Sequence, residues 1–127
     1  DIIIGLNKIR NQFAVNRVAQ AGALASLQDQ VFVNSVIEAV DAGRRDYYQM
    51  AQNLGLATIP SATNFVAIDV GSGDRARQLL QWMNTRGVFI RMPGVAPLDR
   101  CIRVSVGQPD ERKLFAELFR EALQELA

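Results

Sequence analysis

Apolar residues recur at three- and four-residue steps through the first half of the chain, and then at steps of two in short runs separated by two further helical stretches. Residues 2–10 carry Ile2, Ile3, Leu6 and Ile9 at a short helical spacing that Gly5 weakens. Asn11-Gln12-Phe13 interrupts it. The run NRVAQAGALASL from Asn16 to Leu27 is rich in alanine and predicts a helix that packs closely on other elements. Gln28-Asp29 breaks that run, with Asp29 in place to cap the next helix. Residues 30–54 form the longest periodic stretch: Val33, Val36, Ile37, Val40, Arg44, Tyr47, Tyr48, Ala51 and Leu54 recur at three- and four-residue steps. This predicts one amphipathic helix of about six or seven turns. Gly55 comes next as a left-handed terminator.

Beyond Gly55 the period shortens. Leu56–Ile59 is a short β-prone run, and Asn64–Val70 alternates Val66, Ile68 and Val70 against polar or small neighbours. Gly71-Ser72-Gly73 is a turn, and Asp74 can cap a helix over 75–86 with Ala76, Leu79, Leu80 and Met83 inward. Residues 88–92 and 102–106 read as two more strands, the second with strict alternation. Pro109, with Asp110 and Glu111 in the first turn, opens a last helix over 109–126. The order α-α-α-β-α-β-β-α, with an extra short strand near residue 57, predicts an α+β fold. A small mixed or antiparallel sheet of three or four strands is covered on one face by helices and preceded by a long connecting helix.

Composition limits the chemistry. The 127 residues include 14 basic and 13 acidic side chains and 49% apolar residues, which suits one globular domain. The near-zero net charge argues against bulk nucleic-acid binding. Phe65 and Phe89 are present, but the Lys/Arg-Gly-Phe/Tyr pattern of RNA-binding sheets is not. No histidine is present, which removes His triads, His proton shuttles and His metal ligands, and Cys101 stands alone. It reads as a buried structural thiol. No apolar run approaches the length of a membrane span. Twelve arginines accompany only two lysines, Lys8 and Lys113.

The informative feature is an arginine on each of two neighbouring strand runs. Alternation puts Arg103 and Ser105 opposite Ile102, Val104 and Val106, and puts Arg91 with Phe89 opposite Val88, Ile90 and Met92. If the two faces coincide, two guanidinium forks meet one cleft and can hold two anionic groups. The alternative is two solvent-facing arginines paired with Asp69 or Asp99. Asn64 opens a strand after a loop, where a turn or cap role is usual. Gly71-Ser72-Gly73-Asp74 lacks the spacing of a phosphate loop and reads as a plain turn.

Several of these segments resemble a known family. Leu6-Asn7-Lys8-Ile9-Arg10-Asn11-Gln12-Phe13-Ala14-Val15-Asn16-Arg17-Val18-Ala19-Gln20 resembles a segment of the histidinol-phosphate aminotransferases, fold-type-I pyridoxal-phosphate enzymes of class I/II. Ser61-Ala62-Thr63-Asn64-Phe65-Val66 is similar to that family's Asn-Phe strand start. Gly87-Val88-Phe89-Ile90-Arg91 and Ile102-Arg103-Val104-Ser105-Val106-Gly107 are similar to its two arginine-bearing strands. Gln12 and Ala14 depart from the family's common Pro and Asn, and an aromatic or broad-specificity aminotransferase of the same subgroup is the alternative, beside a non-enzymatic ligand-binding α+β module.

The resemblance implies that Arg103 binds a substrate α-carboxylate and that Arg91 faces the substrate's far end, with Asn64 as a third substrate-binding position. It implies amino transfer between a donor such as histidinol phosphate and the 2-oxoglutarate/glutamate pair. It also implies pyridoxal 5'-phosphate on a Schiff-base lysine upstream of residue 1, a homodimeric cytoplasmic parent enzyme, and no nucleic-acid or membrane partner. Residues 1–29 then correspond to the tail of a large domain. Residues 30–127 correspond to the connecting helix and small C-terminal domain. The chain would be inactive alone, with no catalytic residue and no bound cofactor of its own.

Overall fold

A computed structural model of the chain describes residues 2–11 and 15–126. Gln12 and Ala14, where the family pattern is broken, lie outside the described residues, as does Phe13. The chain divides into two compact units, Asp1–Ile37 and Glu38–Ala127, and the division falls within one helix.

The first unit holds α1 (Ile2–Ile9), α2 (Arg17–Gln28) and the start of α3 (Gln30–Asn53). Asn16 caps α2, its Oδ1 accepting from the Ala19 amide at 2.8 Å. Asp29 caps α3 as expected, accepting from the Phe32 amide at 3.0 Å. No residue of α1 or α2 is buried. Leu6, Ile9, Leu24 and Leu27 line an open apolar groove.

The second unit is built on an antiparallel sheet in the order β1 (Ala57–Ile59), β2 (Phe65–Asp69), β3 (Cys101–Ser105). Alternation in β2 and β3 sends Val66, Ile68, Ile102 and Val104 to one face, all buried. The rest of α3, α4 (Gly73–Asn84) and α5 (Pro109–Glu125) contribute Tyr47, Ala51, Leu79, Met83, Phe115 and Phe119 to that core. Tyr47 meets the Phe115 ring edge-on at 5.5 Å, and Phe115 stacks on Phe119 at 5.3 Å. The Tyr47 hydroxyl donates to the Ser105 carbonyl at 3.1 Å. Gly43 lets α3 approach the end of β3: a Cβ there would collide with Val106 Cγ1. Gly55 takes φ +69°, the left-handed stop expected after the long helix. Trp82 is buried, and its indole donates to Glu125 at 2.7 Å. Among the described residues, no helix is long and apolar enough to cross a membrane.

Two local expectations are corrected. Residues 88–92 do not form a ladder strand: Arg91 alone makes an isolated bridge to β3. The preceding residues spend their hydrogen bonds on the end of α4 instead, Gly87 and Val88 donating to the Asn84 and Met83 carbonyls at 3.1 and 3.0 Å. Ile90 then drops into the core. In addition, α4 starts two residues early, because Ser72 rather than Asp74 is its cap. Ser72 Oγ accepts from the Arg75 amide at 3.2 Å, which leaves Asp74 in the first turn, paired with Arg77.

Candidate anion-binding site

The question left open by strand alternation was whether Arg91 and Arg103 share a face. The backbone answers it. The Arg91 amide donates to the Arg103 carbonyl at 3.0 Å, and the Arg103 amide donates to the Arg91 carbonyl at 2.6 Å. Residues that exchange both bonds across an antiparallel pair stand directly opposite, with side chains on the same side of the sheet. Arg103 is also the register partner of Ala67. Arg91, Arg103 and Ala67 therefore form one row across the sheet, on the face opposite the core of Val66, Ile68, Ile102 and Val104. Phe65 and Asp69 flank Ala67 on the same face of β2. The core-facing parity of Ile90, Val104 and Val66 makes this outcome obligatory: a one-residue slip would bury both arginines.

Neither arginine has a carboxylate partner within 4 Å among the described residues. The two aspartates that might have neutralised them do not. Asp69 is taken by Arg100, whose Nε donates to Asp69 Oδ1 at 2.8 Å, and the Gly71 amide donates to the same oxygen at 2.8 Å. The Arg100 hydrogen bond holds the Asp69 carboxyl below its usual range, with the Gly71 amide adding to the effect and burial opposing it. Asp99 pairs with neither site arginine. Each guanidinium instead lies over an aromatic ring: Arg103 at 4.6 Å from the Phe65 centroid and Arg91 at 5.9 Å from that of Phe89. Two neighbouring cations, with no carboxylate partner among the described residues, can offer hydrogen-bond forks to an anion with more than one charged group.

The remaining sequence candidates fall into place around this row. Asn64 precedes β2 and its backbone carbonyl accepts from the Val106 amide at 2.8 Å. Among the described residues its side chain forms no hydrogen bond to either arginine. Cys101 lies on β3 two residues from Arg103 and is buried, and burial pushes its thiol above the ordinary range. Gly71-Ser72-Gly73 is occupied as a turn and helix cap.

What the sequence reading missed is how Phe65 is held. Ser61 Oγ donates to the Phe65 carbonyl at 2.6 Å, and Thr63 Oγ1 donates to it at 3.3 Å. The Ser61 amide in turn donates to the Tyr48 hydroxyl at 2.9 Å, and Arg44 donates to the Thr63 carbonyl at 2.8 Å. The signal was the cluster Ser61-Ala62-Thr63 just before a strand, which suits hydroxyl-to-backbone turns.

A family model described as aminotransferase class I and II matches residues 1–119. The chain belongs to the class I and II aminotransferase family. It is 37% identical over 118 residues to a histidinol-phosphate aminotransferase of Akkermansia muciniphila, covering 93% of this chain and 32% of that protein. It is 34% identical over 125 residues to one of Moorella thermoacetica, covering 97% of this chain and 31% of that protein. Among solved structures it is similar to the histidinol-phosphate aminotransferase of Sinorhizobium meliloti, crystallised in complex with pyridoxal 5'-phosphate. That match has TM-score 0.86 and 42% identity, and covers 97% of this chain and 34% of the other. This aminotransferase chain thus spans about a third of the length of the relatives it matches.

The arginine face of the aminotransferase chain does not fit a Schiff-base site for pyridoxal phosphate. No lysine stands on it: Lys8 is on α1 and Lys113 is exposed on α5. What the face offers is permanent positive charge and in-plane donors, which serve binding and orientation rather than bond making.

Proposed function

We propose that this chain supplies the substrate-anion clamp of a histidinol-phosphate-type aminotransferase. In this reading the cofactor and the lysine that carries it are provided by residues outside the chain. The observation that carries the proposal is the row Arg91–Arg103. The two arginines are paired through their backbones, share one sheet face, and have no carboxylate partner among the described residues. Arg103 takes the α-carboxylate of glutamate or 2-oxoglutarate as a planar fork on a planar acid. Arg91 takes the far group: the second carboxylate of that substrate, or a phosphate monoester on the other. Amino transfer in two halves presents different anions to one site in turn, and two permanently charged forks of adjustable reach can hold each of them. The chemistry supplied by pyridoxal phosphate in this family is carbanion stabilisation at the amino-bearing carbon. The contribution of Arg91 and Arg103 is to fix that carbon by its flanking anions. Asn64, at the strand start beside Phe65, is proposed as a third substrate-facing position.

The substrate class is tested by steady-state kinetics of the complete enzyme. Where the complete enzyme encloses the bound substrate, loss of one partner of a buried, hydrogen-bonded charge pair costs about 2–5 kcal/mol, roughly 30- to 5,000-fold in kcat/KM. Arg103→Ala is expected to lose that much with glutamate. Arg91→Ala is expected to separate donors, with phosphorylated donors losing far more than neutral ones. Unchanged kinetics with glutamate in Arg103→Ala rejects the clamp. Equal losses across donors in Arg91→Ala reject its role at the far group.

A further inference from the structure

We propose that Phe65 is a positioning residue for Arg103. Its ring holds the guanidinium in place by its face, so that every N–H donor stays free for the substrate carboxylate. The inference rests on the reading of Arg103 as a carboxylate-binding residue and adds how that residue is prepared for its ligand.

Three observations carry it. The Arg103 guanidinium carbon lies over the Phe65 ring, 4.6 Å from its centroid. Among the described residues no acceptor takes a hydrogen bond from that guanidinium. The backbone of Phe65 is fixed at its carbonyl by both Ser61 and Thr63, and Ser61 is itself tied to Tyr48 on α3. The ring is thereby placed by the core side of the unit although it sits on the open face.

Arg100 shows the alternative way of holding an arginine on this sheet. Its Nε is spent on Asp69 at 2.8 Å, which fixes the side chain but consumes donor capacity and charge. A ring attracts the cation through its quadrupole and accepts no in-plane N–H, so it restrains the side chain while leaving the fork unspent. A long, flexible arginine otherwise loses rotamer freedom only when ligand binds, which weakens binding. The diagonal placement comes from the register: Phe65 pairs with Ser105 and Ala67 with Arg103, so Phe65 is the same-face diagonal neighbour of Arg103.

The test uses nuclear magnetic resonance of the 127-residue chain, reading the Arg103 side-chain Nε–Hε and Hδ signals with and without glutarate. In the wild type the ring is expected to displace the Arg103 side-chain protons upfield. Phe65→Leu is expected to abolish that displacement and to weaken glutarate binding about two- to fivefold, the effect of an exposed cation–ring contact. Phe65→Tyr, which keeps the ring, is expected to restore both. The Val66 and Val104 amide signals report whether the sheet survives, and Phe65→Met gives the same comparison if Phe65→Leu loses it.

Phe65→Leu with wild-type glutarate affinity overturns the proposal, as does the absence of any ring-current displacement at Arg103 in the wild type. A displaced Arg103 that glutarate leaves untouched also overturns it. That last outcome is distinct, because the stack survives and the fault then lies in the carboxylate reading of Arg103.

Discussion

A side chain kept for binding and one kept for folding differ in what their removal does to the empty protein, and under the proposed clamp Arg103 and Arg112 give that contrast within one unit. Arg103→Ala deletes a ring contact worth about 0.5–1 kcal/mol at an exposed site. It also relieves like-charge repulsion with the directly opposed Arg91, about 0.2–1 kcal/mol. These cancel, so the expected change in stability is within about 0.5 kcal/mol of zero. Arg112→Ala deletes a donor to the Gly107 carbonyl at 2.8 Å and an ion pair to Asp46 at 2.9 Å, from a side chain only 14% exposed. A hydrogen bond from a charged group contributes about 1.5 kcal/mol or more. The pair to the largely exposed Asp46 contributes under about 1 kcal/mol after solvent screening. The expected loss is therefore about 2 kcal/mol.

Thermal unfolding followed by Trp82 fluorescence reads this directly, because the indole is buried in the same unit. In a domain of this size each kcal/mol moves Tm by about 4–8 °C. Arg112→Ala should lower Tm by roughly 8–16 °C and Arg103→Ala by no more than about 4 °C. Equal losses for the two variants would refute the assignment of Arg103 to binding and make it a structural residue.

Three other positions give measurable outcomes. Gly43→Ala forces a Cβ against the stiff Val106 side chain and should destabilise the unit by about 1–3 kcal/mol, measured by urea unfolding; a neutral substitution contradicts the close approach of α3. Because the carboxyl of Asp69 is held below its unfolded range, its contribution is present above the unfolded value near 3.8 and is lost as pH falls through the lower folded value. Asp69→Asn should flatten the acid limb of a stability-versus-pH curve, and an unchanged limb contradicts the Arg100 pairing. Cys101 should react with an alkylating agent far more slowly in the native chain than in denaturant, since the thiol is both buried and raised in pKa; similar rates contradict its burial.

The helices were legible because their signals are local. Asp29, Gly55 and Pro109 are punctuation that needs no tertiary context, and the stripe from Val40 to Leu54 has one period throughout. The run Val88–Met92 was misread for the complementary reason. Its composition suits a strand, but Gly87 and Val88 donate to carbonyls at the end of α4, a choice set by where that helix ends. The arginine pair was half legible. Alternation placed each side chain within its own run, but whether the faces coincide depends on register, which only the Arg91–Arg103 bridge fixes. The assignment of Asp69 to Arg100 rather than to Arg103 was not legible at all. Arg103 lies on β3, whereas Arg100 closes the short 3₁₀ turn at Leu98–Arg100 just before that strand, and this turn brings Arg100 back beside β2. Phe65 is legible as an aromatic residue on a strand, but its contact with Arg103 depends on the same register.

If Arg91 and Arg103 hold the two ends of one dianion, the chain must distinguish glutarate from pentanoate, which has the same carbon chain with a methyl in place of one carboxylate. Binding of both ligands is measured on the wild-type chain and on Arg91→Ala and Arg103→Ala. The wild type is expected to prefer glutarate by about threefold or more, the order expected for one added exposed charge pair. Either substitution is expected to remove this preference. A preference of unchanged size in Arg91→Ala, or equal binding of the two ligands by the wild type, would contradict the two-ended clamp.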